Sequence, residues 1–157
     1  MSPGAGLRGR WMAPSLFGAA ALVLDQLTKW WALSALDDRS IDLVWTLRLH
    51  LVHNSGAAFG QGQGLGPLLT VLILVVVVFL VRHASRTGDY VTRCIVGAIV
   101  GAAMSNLADR VCRADDGPLS GAVVDFVDLQ WWPVFNLADA VIVVSGILLV
   151  LRGWARG

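Results

Sequence analysis

Glutamate is missing from this chain. All eleven acidic residues are aspartate, although glutamate is the better helix former. Acids are therefore expected at turns, helix ends or sites rather than along solvated helix faces. Charge of either sign is scarce: charged residues make up 15% of the chain, against roughly 25% in ordinary soluble domains. The formal net charge is +1, and no basic run is long enough to point to nucleic acid. Cysteine is nearly absent. Cys94 and Cys112 lie 18 residues apart in one helical stretch, about 27 Å at about 1.5 Å per residue, so they cannot pair within the chain. His50, His53 and His83 combine with cysteine or acids in no closed ligand pattern. Neither a metal nor another cofactor is expected.

What is abundant is apolar. Of the 157 residues, 56% are hydrophobic, and the length suits one domain spanning 1–157. Apolar stretches cover about 11–36, 65–81, 91–111 and 134–151, each near the roughly 17–25 residues a bilayer-crossing helix needs. The second has no polar face (LLTVLILVVVVFLV), which a surface helix of a soluble bundle would need. The expected fold is an all-α membrane protein with four transmembrane helices and a small extracytoplasmic sheet and loop region.

Lys and Arg set the orientation. Four spans put both termini on one side, together with the 82–93 loop. That side holds Arg8, Arg10, Arg82, Arg86, Arg93, Arg152 and Arg156, seven of the twelve basic residues, but only Asp89 of the eleven acids. The excess of basic residues places both termini in the cytoplasm, and residues 37–64 and 112–133 outside. The first stretch is expected to stay as an anchor, since it is long and ends in SALDD rather than at a small-x-small cleavage site.

Outside the spans, residues 41–54 (IDLVWTLRLHLVHN) alternate in their later half, Leu47, Leu49 and Leu51 against Thr46, Arg48 and His50. That period of two predicts a strand with one apolar face, resting beside the membrane. NSGAAFGQGQGLG then reads as turns before Pro67 opens the second span. It has neither the spacing nor the strand-to-helix context of a nucleotide site.

Polar residues inside the spans carry the functional signal. A charge at a helix centre costs on the order of 2.5–3.5 kcal/mol, so such groups face a bundle interior or a watery cavity. Asp25 and Lys29 are spaced i,i+4 and can pair on one helix face. Asn106, Asp109 and Arg110 stand near the outer end of the third span, where Arg110 has room to snorkel. Asn136 and Asp139 stand near the outer end of the fourth, and Pro133 is expected to fix that helix start. Asp125 falls in the loop joining the two helices, short enough to fold back over their ends. These polar side chains converge on one level, which packing alone does not explain.

Two carboxylates held close in a semi-apolar site cannot both ionise, so they share a proton. The ionised one takes a proton from water while the protonated one donates to a carbonyl oxygen. That is hydrolysis of an amide by acid and base, and Asp125 and Asp139 are the candidates. Asp128 reads as a solvated loop acid.

The blocks DQLTKWW (25–31), HNSGAAFG (53–60), SNLADRV (105–111), VVDF (123–126) and FNLADA (135–140) resemble, in order, those of the bacterial lipoprotein signal peptidases, or signal peptidase II. The likeness extends over nearly the whole chain. It implies an inner-membrane aspartyl protease that removes signal peptides from prolipoproteins, cutting just before a diacylglyceryl-modified cysteine. It implies a catalytic dyad of Asp125 and Asp139, with no metal. Asn54, Asn106, Arg110 and Asn136 would hold substrate or shape the site, Asp109 would brace it, and Asp25 and Lys29 would support it. The partners implied are diacylglyceryl-prolipoproteins and membrane lipid.

Two other classes compete. A small transporter would use intramembrane acids as an ion relay, and predicts polar residues spread along a path through the membrane. A non-enzymatic assembly protein would use Gly97 and Gly101 as an oligomer face, and leaves the polar cluster unexplained.

Overall fold

A computed structural model describes residues 4–56, 66–114, 117 and 119–155. Most of the glycine-rich run expected to form turns, 57–65, lies outside the described residues, as does Arg156. Four helices and three strands follow among the described residues, in the order α1 (Gly4–Ala35), β1 (Ile41–Val44), β2 (Leu47–Asn54), α2 (Gly66–Arg86), α3 (Tyr90–Cys112), β3 (Val123–Asp128) and α4 (Leu137–Trp154). Among the described residues, α2, α3 and α4 are the helices long and apolar enough to cross a membrane. The first helix has 32 residues.

Polarity is inverted relative to a water-soluble bundle. The outward surfaces of α2 and α4 carry Leu68, Val71, Leu72, Val75, Phe79, Val143, Val144, Ile147 and Leu151, all exposed. Buried positions on the same helices are small or polar: Gly66, Thr70 and Ala84 on α2, Ala138 and Ser145 on α4. Apolar belts outside and polar groups inside suit a hydrocarbon surrounding.

The third helix is the hub and packs against the other three. It meets α1 backbone to backbone: a Cβ on Gly101 would lie 1.9 Å from Gly18 O, and one on Gly97 would lie 2.1 Å from Pro14 O. Only glycine permits that approach. The glycine pair that an assembly protein would use as an oligomer face therefore packs α1 against α3 within one chain. The two helices run parallel, and α4 runs antiparallel to α3. At the far end Asp89, the N-cap of α3, accepts from Thr92 N at 3.1 Å and from Arg152 Nε and Nη2 of α4 at 2.9 and 3.1 Å.

The sheet is antiparallel in the order β1-β2-β3. The run expected to be one strand turns back as a hairpin at Trp45, which takes φ 53°. The sheet rests on the C-terminal end of α1 through Ala32, Leu36 and Phe126, and Trp31 meets Phe126 edge-on at a centroid distance of 6.4 Å. Asp125 lies not in a loop but on β3, where it pairs in register with Val52. Six residues with two acids give a weak strand pattern. Pairing with β2, far away in sequence, makes the strand.

Candidate active site

Each polar position is set by its own element. Asn136 is the N-cap of α4 and Asp139 its N3 residue, forming a reciprocal capping box. Asn136 Oδ1 accepts from Asp139 N at 2.9 Å, and Asp139 Oδ2 accepts from Asn136 N at 3.3 Å. Two orphan donors of the helix start are satisfied in this way. The cap rather than Pro133, three residues upstream of it, fixes where the helix begins.

Asn136 also links the two candidate carboxylates. Its Nδ2 donates to Asp125 Oδ1 at 2.7 Å, and Asn54 Nδ2 donates to Asp125 Oδ2 at 2.9 Å. Across the helix start, Asn106 Nδ2 donates to Asp139 Oδ1 at 2.9 Å. Asp125 and Asn136 are fully buried. Burial pushes the Asp125 carboxyl up to about 7, against the hydrogen bond from Asn54; the nearby Asp139 carboxylate adds to the rise, while Asn136 opposes it.

Beneath this pair lies an ionic layer. Lys29 Nζ sits 2.7 Å from Asp25 Oδ2 and 2.8 Å from Asp109 Oδ2. Asp25 accepts from Ser105 Oγ and from Ala138 N, each at 2.7 Å, which ties α1 to α3 and α4. Asp109 accepts from Gln26 Nε2 at 3.2 Å and from Val124 N at 3.3 Å, which ties α3 to α1 and β3. Charges in low dielectric are tolerable when paired and hydrogen-bonded on every side. Arg110 does not snorkel. It is buried, and its Nη2 and Nη1 donate to the carbonyls of Gly56 and Gly121 at 3.4 and 3.5 Å.

Asp25, Lys29, Asn54, Asn106, Asp109, Arg110, Asp125, Asn136 and Asp139 thus occupy one connected polar cluster. Gln26 and Ser105 belong to it and were not singled out from the sequence. Both adjoin selected residues, and Ser105 precedes Asp109 by four, on the same helical face. Asp128 is not solvated: it is buried, 2.6 Å from Arg48 Nε and accepting from Gln130 N at 2.6 Å. Burial works to raise its carboxyl, but Arg48 and Gln130 N–H outweigh that and hold it below the usual range. A cavity of about 20 Å³ adjoins Asn106 and Arg110, with Thr70 of α2 on its wall.

The profile of the signal peptidase (SPase) II family matches residues 17–155. The lipoprotein signal peptidase of Mycobacterium leprae is 42% identical over 135 residues, covering 85% of this chain and 67% of that protein. That of Rhodococcus jostii is 41% identical over 140 residues, covering 87% and 70%. A solved bacterial membrane enzyme shares the fold with a TM-score of 0.74 at 24% identity, over 90% of this chain and 87% of its own. A second gives 0.70 at 24% identity, over 88% and 90%. With a peptidase family matched along most of its length, the transporter alternative is set aside, and the chain belongs to the signal peptidase II family.

Proposed function

We propose that this chain is an aspartic endopeptidase of the bacterial inner membrane that cleaves prolipoproteins just before a diacylglyceryl-modified cysteine, with Asp125 and Asp139 as its dyad. The observation that carries the reading is the single Asn136 that hydrogen-bonds both carboxylates within a buried layer. Two acids in such a place share one proton. The ionised carboxylate removes a proton from water as its oxygen attacks the scissile carbonyl carbon. The protonated carboxyl gives its proton to the carbonyl oxygen, and the resulting gem-diol collapses with protonation of the leaving amine. Asn54, Asn106 and Asn136 orient the carboxylates. Arg110, with guanidinium donors close to the loop carbonyls, shapes the site and binds the substrate backbone. Asp25, Lys29 and Asp109 hold the helices that carry them.

In this reading 1–157 is one integral membrane domain whose four helices all cross the bilayer. Arg10, Arg82, Arg86, Arg93 and Arg152 lie at the helix ends opposite the polar cluster, with Asp89 the acid there among the described residues. The positive-inside rule makes that end cytoplasmic, with both termini. The dyad then stands near the outer face, where a lipidated cysteine and its signal helix arrive sideways from the membrane. Exposed Trp45, Trp131 and Trp132 beside the sheet suit the interface at that level.

The test is substrate choice. The chain reconstituted in liposomes is expected to cut a diacylglyceryl-modified prolipoprotein and to leave its unmodified form intact. Equal cutting of both forms contradicts the proposed substrate, and cutting of neither contradicts the activity.

A further inference from the structure

Asn106 stands between an ammonium and a carboxylate. Its Oδ1 accepts from Lys29 Nζ at 2.7 Å and from Asn136 Nδ2 at 3.1 Å, while its Nδ2 donates to Asp139 Oδ1 at 2.9 Å. An ammonium has hydrogens alone to offer. The carbonyl end of the amide must therefore face Lys29, and the NH2 end must face Asp139. The opposite rotation would set N–H against N–H on one side and oxygen against oxygen on the other. Lys29 is itself pinned, because its three hydrogens meet Asp25, Asp109 and Asn106. Its charge also polarises the amide and strengthens the N–H that Asp139 receives.

The two carboxylates are not equivalent. Asp139 sits in the first turn of α4, at the positive end of a helix, and receives a backbone N–H as well as the Asn106 amide. Asp125 sits on a buried strand at no helix end, and its donors are two neutral side-chain amides.

We propose that Lys29 is a positioning residue of the dyad: by fixing Asn106 it makes Asp139 the carboxylate that holds the negative charge and leaves the shared proton on Asp125. The inference rests on the dyad reading above and assigns its roles. Asp139 takes the proton from the attacking water, and Asp125 gives its proton to the scissile carbonyl oxygen. The charged groups acting on Asp139 are Asp25 and Lys29 from α1, Arg110 from α3 and Asp125 from β3, while Asp109 of α3 is paired with Lys29. Among the described residues, α2 brings no titratable group to that level. Arg110 acts on both carboxylates from its place on the loop carbonyls. The charge of Lys29 likewise reaches both carboxylates, but its hydrogen bond to Asn106 is passed on to Asp139 alone through the Asn106 N–H.

Removing Lys29 alone would strand two buried acids, so the informative variant is Asp25→Asn with Lys29→Met. It keeps the net charge, and Asp109 retains Arg113 at 3.3 Å. The full chain is reconstituted and its carboxyl infrared bands are followed with pH, Asp125 and Asp139 being assigned by their loss in Asp125→Asn and Asp139→Asn. In the unsubstituted protein and in Asp25→Asn alone, Asp125 is expected to be protonated while Asp139 is ionised. In the double variant the proton moves to Asp139, and the acid limb of the cleavage profile shifts up by about one pH unit, with kcat affected more than KM. A folded double variant with unshifted bands and limb overturns the proposal. If that variant does not fold, Asn106→Asp decides: it keeps an oxygen for Lys29 but withdraws the donor from Asp139. Asp139 is then expected to gain the proton, and an ionised Asp139 beside a protonated Asp125 in that variant overturns the proposal. Because the bands need no turnover, a protein that shows these proton positions yet cleaves nothing contradicts the peptidase reading and not the role of Lys29.

Discussion

Asn136 and Asp125 meet at 2.7 Å, side-chain amide to carboxylate, while the same asparagine caps the helix that presents Asp139. One residue thus sets the distance between the two acids and the direction of one of them. Asn136→Ala is expected to lower the cleavage rate by about a hundredfold or more, the scale of a lost acid–base arrangement. It should destabilise the protein by about 1–2 kcal/mol through the lost cap. Cleavage kinetics and thermal unfolding in detergent check both. A variant with the stability loss but a near-normal rate would make Asn136 a cap and nothing more.

The raised Asp125 carboxyl gives a pH signature. An unfolded aspartate titrates near 3.9, and this one near 7 in the folded protein. The folded state therefore binds the extra proton, and the stability from this group is complete below about 4 and is lost as pH rises through 7. Asp125→Asn lacks this dependence. The difference in Tm, variant minus unsubstituted protein, is expected to be more positive at pH 8 than at pH 5. A difference that falls with pH would contradict the assignment. Cleavage should also decline above about pH 7, as the acid of the pair is lost.

The backbone contact between Gly18 and Gly101 predicts a sharp contrast among glycines. Gly101→Ala must push α1 from α3, because its Cβ would lie 1.9 Å from Gly18 O. The shift would pull Gln26 and Asp25 away from Ser105. A loss of several degrees in Tm and most of the activity is expected. Gly146→Ala, with open space at its Cβ, should be neutral or stabilising by up to about 1 kcal/mol. Similar behaviour of the two variants, by unfolding and cleavage, would mean that the helix contact is not tight.

Every oxygen of the proposed dyad faces an N–H donor, which orients the carboxylates for proton transfer, and the chemistry proposed for them calls on no metal. Chelators are expected to leave cleavage unchanged. Loss of activity on chelation, restored by added zinc, would overturn the metal-free chemistry.

The sequence exposed the cluster because hydrocarbon makes polar residues conspicuous. Asp25, Lys29, Asn106 and Asp139 stood out against apolar neighbours, and helical spacing grouped them by face. What stayed hidden depended on distant partners. VVDFVD became a strand only by pairing with β2 some 70 residues earlier. Asp128 looked solvated until Arg48, 80 positions away, was found beside it. Gly97 and Gly101 announce a close helix contact from their spacing, but not whether the other helix belongs to the same chain. Lys29 was visible as the partner of Asp25; its hold on Asn106 required α1 and α3 to run side by side.

If Asp125 and Asp139 perform the chemistry together, neither carboxylate can be spared, and replacing each by asparagine is decisive. Reconstituted Asp125→Asn and Asp139→Asn are each expected to abolish cleavage of a lipid-modified prolipoprotein while the proteins insert and unfold cooperatively like the unsubstituted chain. Cleavage at a near-normal rate by either variant would contradict the dyad.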